Sequence, residues 1–224
     1  QLQKIWQLVS SGLAAVWAEE NTRESLFRAI KRREVYATSG TRIQLRFFGG
    51  WAFKQTDVMQ ADFATIGYRK GVPMGGDLNG HSDSGAPSFM AAASRDADGA
   101  NLDRIQIIKG WLDANGETQE QIYDVALSDD RSANWLGKIA PVGNTVDIAN
   151  ASYSNSIGDP ELTAVWTDPD FDPEQRAFYY ARVIQIPTPR WTAYDRKYFG
   201  AVIDPRAPDI IQDRAYSSPI WYTP

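Results

Sequence analysis

Cysteine is absent from the 224-residue sequence, and histidine occurs once, at His81. Without cysteine the chain forms no disulfide, no thiolate zinc site and no cysteine nucleophile. A hydrolytic metal centre takes several imidazole and carboxylate ligands, which a single histidine cannot supply. His81 lies in the loop-like stretch Asn79–Gly85, so we predict an exposed loop histidine, and not a base for the nearby Ser84. We expect no metal site and no bound cofactor in this chain.

Long apolar runs and an excess of positive charge are also missing. No apolar stretch is long enough to span a bilayer. Lys plus Arg number 23 against 28 for Asp plus Glu, a formal net charge of -5, which argues against nucleic acid or an anionic membrane as the main partner. The chain starts at Gln1 without a basic segment followed by an apolar one, so no signal peptide is visible and a processed or truncated start is expected.

The N-terminal part differs in pattern from the rest. The apolar run Leu13–Ala18 predicts a strand buried on both faces. A helix is predicted over Asn21–Arg33, with Asn21 as its N-cap and Glu24 completing a capping box. Val35–Thr38 then looks extended. A strand, a helix and a strand are a fragment of an α/β layer, too small to form a core alone.

Two acidic residues, Glu19 and Glu20, stand between that strand and that helix. In α/β folds the carboxyl end of a strand is where ligands bind, so both are candidates to line a catalytic site as an acid/base pair. The alternative is structural, because acidic side chains also stabilise a helix N-terminus. The residues themselves leave both interpretations open.

From Arg42 onward apolar residues recur at every second position, as Ile43, Leu45 and Phe47 do. Turn-rich stretches separate further predicted strands, which are Asp62–Tyr68, Ser88–Ser94, Arg104–Lys109, Gln121–Leu127, Thr145–Ala149, Leu162–Trp166, Phe178–Ile186 and Pro219–Tyr222. Short strands without helices between them indicate a mainly β chain, with an immunoglobulin-like antiparallel β-sandwich over residues 41–224.

The stretch Pro187–Arg214 does not fit the strand pattern. It contains four prolines and shows no clear secondary structure, which is typical of a segment that packs over another surface or carries function. Arg190 has a planar donor fork suited to a carboxylate or a phosphate. We predict that Arg190 and Trp191 line a site near Glu19 and Glu20; a purely structural flap is the alternative.

Two other kinds of binding site have some support in the sequence. The alternating carboxylates of Asp168–Asp172 could hold calcium, although Asp residues in β-turns need no metal to explain them. Trp51, Trp111 and Trp191 lie in loop contexts and are candidates for stacking on a sugar.

Two N-terminal segments, Val16–Glu24 and Lys31–Gly40, resemble the end of the catalytic barrel in metallohydrolases of the polymerase-and-histidinol-phosphatase (PHP) type. Nearly the whole chain is similar to the C-terminal half of proteins in the domain-of-unknown-function 3604 family (DUF3604). The other motifs that carry this similarity are Arg46–Trp51, Gly71–Asp77, Asp98–Ile105, Lys109–Asp113, Val165–Pro173, Ile186–Trp191 and Ser217–Tyr222.

The resemblance implies a bacterial, metal-dependent hydrolase of PHP-like and possible phosphoesterase type, with an unknown substrate. Residues 1–40 would be the last strand and helix of its catalytic barrel, and residues 41–224 its sandwich. The metal ligands of such enzymes, a His-x-His and a late Asp-x-His, do not occur in this sequence. A divalent metal of the Zn or Mn type would therefore be held elsewhere in the parent chain, and this part alone would not be catalytic.

The expected partner is the remainder of the parent chain, with a second copy of this chain as a further option. An exported or periplasmic location stays open. The alternative function is that of a non-catalytic β-sandwich module that binds a glycan or a protein.

The chain by itself should not hydrolyse phosphoesters, because one histidine and no cysteine leave too few ligands for a hydrolytic metal centre. The measurement is turnover of a generic phosphoester with added Zn²⁺ or Mn²⁺. Turnover that is lost with a chelator and scales with the amount of purified chain would contradict this prediction.

Overall fold

The computed structural model describes residues 12–79 and 85–224, which are mainly β, as predicted. The strands are β1 (Leu13–Val16), β2 (Val35–Thr38), β3 (Gln44–Gly50), β4 (Gly71–Pro73), β5 (Asp77–Asn79), β6 (Ser88–Ser94), β7 (Leu102–Leu112), β8 (Thr118–Leu127), β9 (Glu161–Thr167), β10 (Ala177–Gln185), β11 (Thr188–Pro189), β12 (Ile210–Ile211), β13 (Arg214–Ser217) and β14 (Ile220–Thr223). The helices are α1 (Arg23–Lys31), α2 (Gln55–Val58), α3 (Phe63–Lys70) and α4 (Trp191–Phe199).

The predictions for His81 and Ser84 fall outside the described residues. Within the described ranges, no helix combines the length and the apolar character needed to cross a membrane.

Most strands belong to one of two sheets. In the large sheet, β10 pairs with β7, and β8 lies on the far side of β7. The other edge of β10 is shared, because β14 pairs with its first half and β13 with its second half. Beyond β13 lie β2 and β1, and β5 joins β14 as a parallel neighbour. The small sheet has the order β4-β3-β6-β9 and is antiparallel, so the architecture is consistent with the predicted β-sandwich.

The core between the two sheets is rich in aromatic rings. Along β10 every second side chain is buried, from Ala177 to Gln185, because alternate residues of a strand point to opposite faces. The ring of Tyr179 lies 4.4 Å from that of Phe89 in β6, and Phe89 lies 5.7 Å from Phe47 in β3. Burial of these rings is the main favourable term that holds the sheets together, at about 25 cal/mol per Å² of apolar surface.

The N-terminal segment forms the predicted strand, helix and strand, but β1 is exposed to half-buried and not buried on both faces as predicted for Leu13–Ala18. Helix α1 begins later than predicted, since Thr22 is its N-cap and the Thr22 hydroxyl accepts a hydrogen bond from Ser25 N at 3.3 Å. Strands β1 and β2 are antiparallel neighbours, and β2 pairs with β13 of the large sheet. The strands of an α/β barrel are parallel. The described residues of this segment therefore extend the sandwich sheet and form no barrel.

The strand predicted at Asp62–Tyr68 is wrong, because α3 occupies most of this stretch. The helix packs closely on β3: a Cβ atom at Gly67 would lie only 2.6 Å from the ring of Phe48. Its buried residues, Ile66 and Gly67, are consecutive, so the helical period is hard to see in the sequence. Tertiary packing decides the conformation here.

Two more stretches differ from the prediction. No strand forms at Thr145–Ala149, where the Asn144 side chain accepts a hydrogen bond from Val146 N at 2.9 Å; such local bonds favour turns over strands. The stretch Pro187–Arg214 contains α4, which the sequence does not predict. This helix ends at Gly200, whose φ of 63° lies in the left-handed region that glycine adopts without strain.

A buried ion pair joins the two sheets at one end of the sandwich. The Nζ atom of Lys109 in β7 lies 2.7 Å from Oδ2 of Asp168, which follows β9, and these side chains are 3% and 0% exposed. The hydroxyl of Tyr179 donates to the same carboxylate at 2.7 Å. Asp168 is therefore occupied by protein partners and is not a free ligand for the calcium ion considered above. Across the described ranges, no three His, Cys, Asp or Glu side chains come together as metal ligands.

Replacing Lys109 with Met should destabilise the fold by about 3–5 kcal/mol, because the charge of Asp168 is left buried without its cation. Adding Asp168→Asn to that variant should recover part of the loss, since the uncompensated charge is then gone. Urea unfolding followed by tryptophan fluorescence measures both variants. A Lys109→Met protein as stable as the parent would show that the pair does not hold the sheets together.

Candidate functional site

A pocket of about 610 Å³ opens beside the N-terminal end of β2. This volume is within the range of small-molecule sites. We call it the Glu34 pocket, after its buried carboxylate, and its polar and aromatic lining consists of Trp17, Glu19, Arg32, Glu34, Arg46 and Tyr68. The N-terminal segment supplies the first four of these residues, β3 supplies the fifth and α3 the sixth.

The turn after α1 places Glu34 in the pocket. Arg33 has a φ of 63°, a left-handed conformation that is uncommon for a residue other than glycine. This turn brings Glu34 N to 3.1 Å from the carbonyl oxygen of Ala29. The Trp17 backbone N–H in turn donates to the carbonyl oxygen of Glu34 at 3.1 Å. The Glu34 side chain is left only 2% exposed and depends on its partners for stabilisation.

Three side chains surround the Glu34 carboxylate. The hydroxyl of Tyr68 donates a hydrogen bond to Oε1. Arg32 donates from Nη2 to Oε2 at 3.1 Å, and Nη1 of Arg46 lies 3.8 Å from Oε1. Arg46 also donates from Nη1 to the Tyr68 hydroxyl at 2.9 Å. The buried negative charge is thus held between two guanidinium groups and a phenol.

Arg46 is fixed from its other side by an aromatic ring. Its guanidinium carbon lies 3.4 Å from the ring centroid of Trp17, which is cation–π geometry. The Trp17 indole is itself held in place, because its Nε1 donates to the carbonyl oxygen of Leu45 at 2.8 Å. These two contacts join Trp17 to β3 and orient Arg46 toward the pocket.

Burial raises the pKa of the Tyr68 phenol, and the hydrogen bond and charge of Glu34 raise it further, while Arg46 lowers it. The phenol therefore stays protonated at neutral pH and remains a donor to Glu34. The stability that neutral Tyr68 contributes is complete below the pKa of an unfolded tyrosine, about 10. It is lost as the pH rises through the raised folded-state pKa.

The structure separates the two predicted acidic candidates. Glu19 is exposed and lines the Glu34 pocket. Glu20 is also exposed, and its backbone N donates to the Ser25 hydroxyl at 3.2 Å, so it lies at the start of α1. Glu20 therefore lies where the structural alternative places it, at the start of α1, while a catalytic role for Glu19 stays a prediction.

Arg190 and Trp191 are not brought near Glu19 and Glu20, contrary to the predicted docking. Strand β13 runs antiparallel to β2, so the chain that leads into β13 arrives at the Thr38 end of β2, while the Glu34 pocket lies at its Val35 end. Arg190 is buried at the first of these ends, with its backbone N bonded to the carbonyl oxygen of Asp209 at 2.8 Å and its guanidinium 5.0 Å from the Trp191 ring. We accordingly assign this segment a packing role.

Sequence reasoning missed most of the pocket. Arg32 and Glu34 look like part of a charged helix end, and Arg46 looks like an ordinary solvent-facing residue of β3. Tyr68 falls in the predicted strand Asp62–Tyr68, in place of which the structure has α3. The one available signal was the run of mixed charge and aromatic residues between Val16 and Gly40, which is also where the barrel resemblance lies.

Residues 1–224 match the protein family described as "Protein of unknown function (DUF3604)". The chain belongs to the DUF3604 family. No curated protein and no solved structure matches it. The description of DUF3604 assigns no activity, so a function for this member has to be argued from its own residues.

Replacing Glu34 with Gln should lower the pKa of Tyr68 toward the ordinary tyrosine value, because both contributions of Glu34 raise that pKa. Alkaline titration of tyrosinate absorbance measures the change, with Tyr68→Phe identifying the residue. Glu19→Gln is the control and should leave the titration unchanged, since Glu19 is exposed and is not among the groups that shift Tyr68. A Tyr68 pKa that stays raised in Glu34→Gln would mean that burial alone sets it.

Proposed function

We propose that this chain is the non-catalytic β-sandwich part of a metal-dependent hydrolase of the phosphoesterase type, and that its Glu34 pocket receives an anionic group of the substrate. The first half of the proposal is supported by the sequence resemblance of Val16–Glu24 and Lys31–Gly40 to PHP-type metallohydrolases, although these segments extend the sandwich sheet here. These same segments contribute Trp17, Glu19, Arg32 and Glu34 to the pocket.

The second half of the proposal rests on the unused hydrogen-bond donors of Arg32 and Arg46. A guanidinium has five N–H donors. Among the described residues, Arg32 donates only one side-chain hydrogen bond, to Glu34, and Arg46 only one, to Tyr68. The remaining donors can serve a ligand or water, and the planar fork of arginine suits phosphate and carboxylate oxygens.

Glu34 makes this arrangement possible. Two guanidinium groups repel each other, and the buried carboxylate between them offsets that repulsion. The side chains of Arg32 and Arg46 are 49% and 22% exposed, so a ligand in the pocket can reach both. The buried Glu34 carboxylate meanwhile holds them in position. The charges of Glu34 and Glu19 balance those of the arginines, which favours modest, selective binding over general attraction of anions.

The catalytic chemistry in this proposal belongs to the rest of the parent protein. The described residues of this chain do not fit a divalent metal of the Zn or Mn type, since no three ligand side chains come together. An apolar surface is available for the remainder of the parent chain on α1, where Phe27 and Ile30 are 64% and 56% exposed.

Isothermal titration with phenyl phosphate should detect binding to the chain and a loss of about tenfold or more in Arg46→Gln, since a hydrogen bond to a charged group contributes about 1.5–3 kcal/mol. Arg32→Gln should weaken binding in the same direction. Arg28→Gln is the matched control, because Arg28 lies on α1 but does not line the pocket. Circular dichroism checks that each variant is folded. Equal affinity in Arg46→Gln, Arg32→Gln and the parent would remove the pocket from the proposal.

A further inference from the structure

The outer face of the large sheet carries a row of aromatic side chains. Phe178 and Tyr180 are two of the four half-buried, outward residues of β10, which alternate with its buried ones. Tyr216 of β13 and Trp221 of β14 continue the row from its two ends, and both lie on the edge of β10 opposite β7. The ring centroids of neighbours are 5.3 Å apart for Trp221 and Phe178, and 6.4 Å apart for both Phe178–Tyr180 and Tyr180–Tyr216. We call these four residues the aromatic row.

The central rings of the row lie flat. A Cβ atom at Gly110 of β7 would come within 2.3 Å of Cζ of Phe178, so the Phe178 ring rests on the glycine backbone. The planes of Phe178 and Tyr180 are only 14° apart. A ring that lies on the sheet surface presents its face outward, and two nearly parallel rings form a platform. Gly110 is required here because any side chain would lift the Phe178 ring.

A cleft of about 610 Å³ continues the row at its Trp221 end. Gly110 and Phe178 are among the residues that line it, and Trp221, which is 43% exposed, also does so. The charged side chains in the lining are Glu120 and Arg176, so the cleft has no net charge.

Paired polar groups border the row on both sides. On the β7 side, Arg182 Nε donates to Gln106 Oε1 at 2.7 Å, and Gln106 Nε2 donates to Asp124 Oδ1 at 2.8 Å. On the β5 side, Arg33 and Asp77 form an ion pair of 2.8 Å next to Trp221. Planar hydrogen-bonding groups thus flank the rings near Trp221 and Tyr216, while beside Tyr180 the apolar surface continues across β7 to Ile122 of β8.

We propose that the aromatic row and its cleft bind an extended, neutral glycan of β-linked pyranose units. The apolar face of a pyranose ring stacks on an aromatic face, and the nearly parallel rings of Phe178 and Tyr180, 6.4 Å apart along β10, offer two such faces in succession. The amide, guanidinium and carboxylate groups at the edges can bond sugar hydroxyls. Arg33 is paired with Asp77, Asp124 is paired with Arg104, and the charges of the cleft sum to zero, which disfavours a charged polysaccharide.

A narrow row fits a single chain better than a folded protein. Protein partners bury broad patches of about 800 Å² on each side around a central apolar region, whereas the Arg33–Asp77 pair and the Arg182–Gln106–Asp124 set interrupt this surface near its two ends. The sequence predicts Trp51, Trp111 and Trp191 as candidates for stacking on a sugar. Trp111 does line the cleft, while Trp51 packs inside, 6.1 Å from Tyr222, and Trp191 begins α4.

This site is independent of the proposed phosphoester function, since no residue lines both the cleft and the Glu34 pocket. If phosphate binding fails, the glycan proposal is unaffected, and if glycan binding fails, the phosphate proposal is unaffected.

Affinity electrophoresis of the chain in gels with hydroxyethylcellulose, xylan or glucomannan tests the proposal, and titration with cellohexaose measures the affinity. We expect retardation in at least one gel and none with polygalacturonate. Trp221→Ala should weaken binding about tenfold or more. Trp135→Ala is the matched control, because Trp135 is 91% exposed and lies outside the row, and it should bind as the parent does.

Tyr216→Ala serves as a second test if Trp221→Ala does not fold by circular dichroism, and it should also weaken retardation. The proposal is overturned if none of the three neutral polysaccharides retards the chain, or if the folded row variants are retarded like the parent. It is also overturned if light scattering shows a dimer that Trp221→Ala converts to a monomer without any glycan binding, because the row would then join two copies.

Discussion

The structure depends on how the hydrogen-bonding edges of β10 are used. One edge is filled along its length by β7, and the other is divided between β14 and β13. Each of these two short strands pairs with a further strand. β14 pairs with β5, and β13 pairs with β2, which in turn pairs with β1. A strand that left part of this edge open would expose unpaired backbone groups. The divided edge therefore explains why a chain of short strands forms one continuous large sheet.

The same division decides where the candidate sites lie. Because β13 is antiparallel to β2, the Pro187–Arg214 segment approaches the Thr38 end of β2, and the pocket around Glu34 is left at the other end. Because β14 lies beside the first half of β10, Trp221 is placed next to Phe178 on the outer face. Neither placement depends on residues close in sequence. Both follow from the register of strands that are far apart along the chain.

This long-range origin explains what the sequence predicts and what it does not. The period of two identifies the mainly β class, and the bounds predicted for Ser88–Ser94 agree with β6. These features depend on neighbours along one strand. Helix α3 was missed because its close contact with Phe48 is tertiary. The partners of Glu34 were missed for the same reason: Arg46 and Tyr68 follow it by 12 and 34 positions, and only the packed sheets bring them together.

Two of the buried carboxylates, Asp168 and Glu34, each contact a cation across the two sheets. Asp168 follows β9 of the small sheet and binds Lys109 of the large one. Glu34 precedes β2 of the large sheet and contacts Arg46 of the small one. A buried ion pair adds little net stability over an apolar pair of similar size, yet it is costly to break. Such pairs therefore select one relative position of the sheets over others. In DUF3604 sequences that keep both pairs, the sandwich should retain this alignment even where the apolar core residues change, and with it the positions of Arg46 and Trp17 on which the pocket depends.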